Sequence, residues 1–150
     1  MTSQVPSPGA RIVVGVDGSE QSKFALNWAR RIASRTGAAV DAVTSWHFPA
    51  NFGWGYAADA WNPEDDARKC LTDSVDEVFG ADRPSGLRML VREGLPAKVL
   101  LDESKGAAML IVGCRGHGGF AGLLLGSVSA SCAEHATCPV LVVHGNQPAL

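Results

Sequence analysis

Five short, mostly apolar runs, each separated from the next by a single segment with helical hydrophobic spacing, constrain this chain more than any other feature. The runs are Ile12 to Val16, Val40 to Trp46, Leu87 to Arg92, Met109 to Val112 and Val140 to Val143. Each is too short for a helix, and Ile12 to Val16 is so continuously apolar that it suits a strand covered on both faces. Between the first two runs, Ala25, Trp28, Ala29, Ile32 and Ala33 fall on one helical stripe, with Ser19 placed to cap the helix and Gly37 to close it. Asn62-Pro63 then offers a cap and a first-turn proline, and Ala67, Cys70, Leu71, Val75, Val78 and Phe79 carry the next stripe to Gly80. A short helix opened by Pro96 joins the third run to the fourth, and one from Ser127 to about Ala136 leads to Pro139 and the fifth.

Strands that alternate with single helices are parallel, are joined by right-handed crossovers and need helices on both faces. The expected fold is therefore α/β: one doubly wound, five-stranded parallel sheet in strand order 3-2-1-4-5. Residues 1–10, with Pro6, Pro8 and Gly9, read as a flexible arm, 11–144 as the domain and 145–150 as a tail. Ligands of such sheets lie outside the carboxyl ends of the strands, where the winding direction reverses. Asp17-Gly18-Ser19 and the stretch from Gly113 to Ser129 suit that position, and with strands one and four as neighbours they face one crevice.

Composition excludes several classes. The chain has 150 residues, and 13 basic against 15 acidic side chains leave a net charge of −2, so nothing recommends nucleic acid as a partner. With 46% hydrophobic residues, a core is available without disulfides or metal. Cys70, Cys114, Cys132 and Cys138 form no C-x-x-C pair and no zinc-ligand spacing, and Met1 to Ala10 lacks the basic flank and apolar stretch of a signal peptide. These features set the expectation of a reduced, cytoplasmic protein without a metal cage. No apolar run nears the ~18 residues of a membrane helix, so no membrane partner is expected.

Gly113 to Ser129 holds six glycines in 17 residues. Glycines allow close approach of backbone to a ligand, and N–H groups at a helix start, here Gly126 to Ser129, offer donors and about half a positive charge to a phosphate. Ser127 and Ser129 add hydroxyls. The plainer alternative is that Ser127 only caps its own helix. Walker A is absent, because no Gly-Lys-Ser/Thr occurs. Gly116-x-Gly118-x-x-Ala121 matches the dinucleotide fingerprint literally, yet it follows the fourth strand and has no acid at a strand end about twenty residues on.

The spacing Gly113-x2-Gly116-x9-Gly126-Ser127, preceded by Leu110-Ile111-Val112 and followed by Val128-Ser129, resembles the nucleotide-binding signature of the universal stress protein family, in its ATP-binding branch. The opening from Ile12 to Ser19 and the closing from His135 to Val143 are similar to that family's first and last strands. The resemblance implies a nucleotide-sensing regulatory module of the stress response that binds ATP, with Mg²⁺. It assigns Asp17, led into by Gly15 and Val16, to the ribose and phosphates. Val43 falls where the family's backbone meets adenine. Gly113 and Gly116 match the loop around ribose and phosphates, and Gly126, Ser127, Val128 and Ser129 match the phosphate cradle. The position before strand four, often Asp in the family, is Ala108 here.

Other residues keep two readings at this stage. Asp17 suits an Asx-turn as well as a site shared with a metal and phosphates. Arg115 and His117 suit phosphate neutralisation or plain solvation. Cys114 reads as a small filler, with a reactive thiol as the alternative. The aromatic loop 47–61, with Phe48, Phe52, Trp54, Tyr56 and Trp61, suits a lid on the core, a flap over the nucleotide or a partner surface.

The alternative function is a slow ATP hydrolase or phosphotransferase at the same site, for which only Asp17 and His117 offer themselves. A receiver domain is excluded, because strand one ends in Asp17 alone and strand five in His144-Gly145, with no lysine. The expected edges differ: strand three carries Arg88 and Arg92, whereas Val140 to Val143 is wholly apolar. A homodimer through strand five follows as the expectation, with the C-terminal tail or a partner protein over that edge as the alternative.

Overall fold

The alternation becomes five strands and four helices. β1 (Arg11–Gly15), β2 (Ala39–Trp46), β3 (Leu87–Glu93), β4 (Met109–Gly113) and β5 (Val140–Val143) alternate with α1 (Glu20–Thr36), α2 (Pro63–Phe79), α3 (Pro96–Glu103) and α4 (Ser127–His135). The computed structural model describes residues 10–48, 61–114 and 125–145. The strands pair in parallel in the order β3-β2-β1-β4-β5, as expected. Apart from Ala10 and Gly145, the expected arm and tail lie outside the described residues.

The caps explain the helix limits. Ser19 accepts the Ser22 N–H at the start of α1, and Gly37, at φ 78°, ends it by donating to the Ala33 carbonyl. Asn62 accepts from Glu64 and Asp65 ahead of the N1 proline of α2. β1 starts and stops one residue before the expected run. Val16 still donates to the Val43 carbonyl at 2.8 Å, but its own carbonyl accepts the Thr44 hydroxyl at 2.9 Å, which takes it out of the ladder.

Strand residues alternate between two cores. Ile12, Val14, Val40, Ala42 and Ile111 face α1 and α2, meeting Leu26, Ala29, Leu71 and Val75. Val13, Val43, Leu110 and Val112 face α3 and α4, meeting Val99, Leu100 and Cys132. Ile12, Leu26, Leu71 and Leu110 are fully buried, and each such side chain contributes about 1.5–3 kcal/mol.

The β3 edge differs in detail from the expectation of two arginines that simply charge it. Arg88 reaches to its register neighbour Asp41, which is 1% exposed, with Nε to Oδ1 at 2.9 Å and Nη2 to Oδ2 at 2.7 Å. Arg92 pairs with Glu103 of α3 at 3.3 Å. Both guanidiniums are thus tied down, one of them to a buried carboxylate that needs the pairing. No described helix is long and apolar enough to cross a membrane. All four cysteines are free thiols.

Candidate functional site

At the carboxyl end of the sheet, between the diverging connections of β1 and β4, lies a cleft of about 510 Å³. Gly15, Val16, Asp17, Val43, Gly113, Gly126, Ser127, Val128 and Ser129 all line it. The fold therefore brings together every described residue that the sequence assigned to the nucleotide site. Arg115 and Gly116, and with them His117, lie outside the described residues.

The Asp17 side is a built turn. Asp17 Oδ1 accepts the Ser19 N–H at 2.9 Å and the Ser19 hydroxyl at 2.5 Å, while the Asp17 N–H donates to Ser22 Oγ at 3.3 Å. Gly18 between them has φ 84°, a conformation only glycine adopts without strain. The turn role expected for Asp17 is present, and the carboxylate is solvent-exposed at the cleft while it performs it.

The opposite side is the start of α4. Gly126 is its N-cap and has no side chain with which to cap it, so the helix itself provides no acceptor for the N–H groups of Ser127, Val128 and Ser129. Those three donors sit at the cleft with the positive end of the helix dipole. Two other expected donors serve the scaffold instead. The Gly126 N–H donates to the Cys114 carbonyl at 2.6 Å, and the buried Ser129 hydroxyl donates to the same carbonyl at 2.7 Å. These bonds moor the helix start to the end of β4. Ser127, which is exposed, is the hydroxyl on the cleft side.

Gly113 lines the cleft and also has a packing reason to be glycine. Its φ is not positive; rather, a Cβ there would lie 2.9 Å from Gln21 Cβ and 3.0 Å from the Gln21 carbonyl carbon. The glycine lets the first turn of α1 pack directly on the end of β4. Beside it the buried Cys114 thiol donates to Gln21 Oε1 at 3.1 Å, which suits the filler role. Gly15 is tight in another way, since a Cβ would lie 2.8 Å from Leu100 Cδ1.

Several wall residues escaped the sequence reading: Asp66, Ala67 and Cys70 of α2, and Pro96 and Leu100 of α3. Their signal was topological, because every strand-to-helix connection of a parallel sheet opens at this same end. Burial, with Asp17 second, pushes the Cys70 thiol up, which disfavours its thiolate. Among the described residues no cluster of three or more His, Cys, Asp or Glu could hold a metal.

Sheet order and crevice define a doubly wound α/β domain with a candidate ligand cleft at its switch point. Comparison with known proteins makes this specific: the sequence pattern of the universal stress protein family matches residues 10–144, and the chain belongs to that family. A universal stress protein of Mycolicibacterium smegmatis is 34% identical over 148 residues, a match spanning 92% of this chain and 49% of that protein. The chain thus spans about half the length of the curated relatives it matches. Among solved structures, a universal stress protein in complex with cAMP is 28% identical, with a TM-score of 0.68 covering 92% of this chain and 98% of that one. The universal stress protein of Archaeoglobus fulgidus in complex with dAMP has the same fold at 23% identity, with a TM-score of 0.62 and coverage of 93% and 98%.

Proposed function

We propose that this cleft binds an adenine nucleotide, with ATP and Mg²⁺ as the physiological ligand, and that the protein is a nucleotide-sensing regulatory module. The observation that carries the reading is the uncapped start of α4, whose Ser127, Val128 and Ser129 N–H groups line the same cleft as Asp17. A cleft of about 510 Å³ lies in the usual size range of small-molecule sites. The cAMP complex of a relative 28% identical supports a nucleotide as the ligand class. Asp17 is the residue that would share Mg²⁺ with the phosphates, and the ion's contribution there is to offset the repulsion between carboxylate and triphosphate. Val43 lines the cleft where the family resemblance puts the base, with its carbonyl held by Val16 and its side chain buried in the core.

Calorimetric titration of the purified protein with ATP, with and without Mg²⁺, tests the reading. Gly116→Ala, at the motif position where backbone approaches ligand, should weaken binding, and unchanged affinity in that variant would sink the assignment. Regulation without catalysis also sets a rate: ADP release from Mg-ATP stays below about 1 per second, at the bottom of the ordinary enzyme range. Faster release would move the protein to the hydrolase or phosphotransferase alternative.

The same reading includes a homodimer through β5. Val140, Leu141 and Val142 are only half-buried at the edge of the sheet, with no polar side chain among them, and a second copy would cover that edge across a two-fold axis.

A further inference from the structure

The two ends of the cleft differ in chemistry. Small and hydroxyl residues line it at the start of α4, whereas Trp46, Trp61, Pro63, Pro96 and Leu100 line it where β2, α2 and α3 converge, with Ser45, His47 and Asp66 among them. Trp61 stands out among these. It precedes the Asn62 cap of α2 and keeps 39% of its surface exposed, although a ring of that size gains most from burial. Its ring is nevertheless held in place: the indole Nε1–H donates to Asp66 Oδ2, one turn into α2, at 2.6 Å. Trp61 lines the cleft and is partly exposed, and most of the surface of such a side chain is aromatic ring. Trp46, the last residue of β2, is braced edge-to-face by Phe48, with ring centroids 5.5 Å apart and planes at 86°.

We infer that Trp61 is the stacking wall for the nucleobase, a positioning residue for the ligand that rests on the nucleotide-binding reading above. A base is a flat, poorly hydrated π surface, and a fixed aromatic ring is what retains it. The hydrogen bond to Asp66 presets the ring, so little rotamer freedom is lost when the ligand arrives. Phosphate recognition at α4 and base recognition at α2 then lie on helices from opposite faces of the sheet. Nucleotide binding therefore spans the two layers.

The test is ATP titration of the whole protein as wild type, Trp61→Phe and Trp61→Ala, with thermal unfolding of each to confirm folding. Stacking predicts that Trp61→Ala loses roughly ten-fold or more in affinity, while Trp61→Phe, which keeps a ring but lacks the N–H, retains most of it. A structural role through Asp66 predicts instead that Phe fails as badly as Ala, and that result overturns the inference. So does Trp61→Ala binding ATP as tightly as wild type, which would leave nucleotide binding itself intact. A wild type that binds no nucleotide removes the underlying reading and the inference together. Should Trp61→Ala fail to fold, fluorescence decides: ATP must quench wild-type emission more than that of Trp61→Phe, and equal quenching overturns the assignment.

Discussion

Replacing Gly113 by alanine should damage both stability and the site, and its size follows from three distances. The new methyl carbon would lie 2.9 Å from Gln21 Cβ, 3.0 Å from the Gln21 carbonyl carbon and 3.1 Å from its oxygen, where ordinary contact begins at 3.4 Å. To restore contact, the first turn of α1 must retreat by about half an ångström. It cannot do so alone, because the same helix carries Ala25, Leu26 and Ala29, all fully buried against the sheet. Overpacking of this kind costs about 1–3 kcal/mol, which at a typical urea slope lowers the unfolding midpoint by about 1 M. The Asp17–Ser19 turn moves with the helix start, so nucleotide affinity should fall as well.

Gly15→Ala provides the contrast. Its methyl is crowded by Leu100 Cδ1 at 2.8 Å and Cδ2 at 3.3 Å, the ends of a side chain that can swing or be shortened, and meets Val112 Cγ1 at an ordinary 3.6 Å. In double-mutant cycles, Leu100→Val should therefore relieve part of the Gly15→Ala penalty. Gln21→Ala should leave the Gly113→Ala penalty unchanged, because the atoms in conflict are Cβ and backbone. A Gly113→Ala protein as stable as wild type, or one rescued by Gln21→Ala, would refute this account of the interface.

Three further outcomes are expected. Burial, with Cys138 second, pushes the Cys132 thiol from an ordinary 9.0 up to about 11. Its contribution to stability is thus full below about pH 9 and lost as pH rises toward 11, where the unfolded chain has released a proton that the fold retains; urea unfolding from pH 8 to 10.5 should show a shallower decline in Cys132→Ala. Arg88→Ala should lower the urea midpoint more than Asp41→Asn does. The first leaves a buried carboxylate with only Arg11, at 3.4 Å, as its described ion-pair partner, while the second leaves an exposed guanidinium to water. Val142→Lys should give a monomer by light scattering where the wild type is a dimer, and a wild type already monomeric at micromolar concentration would end that proposal.

What the sequence made legible and what it hid divide along a physical line. Strand runs, helical stripes, the Ser19, Gly37 and Asn62 caps and the strand order are decided within a dozen residues or by handedness rules, and the fold follows them to within a residue. The motif residues also meet in one cleft, because the topology brings the ends of β1 and β4 together whatever the side chains are. The roles that changed belong to residues whose deciding partner lies far off in the chain. Gly113 reads as a loop glycine until Gln21 of α1 is seen against it. The Ser129 hydroxyl reads as a phosphate donor until the Cys114 carbonyl claims it, leaving only the N–H for that role, and Arg88 reads as an edge charge until Asp41 is found buried beside it. Trp61 differs, since its partner Asp66 is one helical turn away and the Trp61-x4-Asp66 spacing was in view. What concealed it was the aromatic loop it closes, in which composition alone could not separate a core lid from a ligand wall. Only the position of α2, set by β2 and β3, puts that residue in the wall of the cleft.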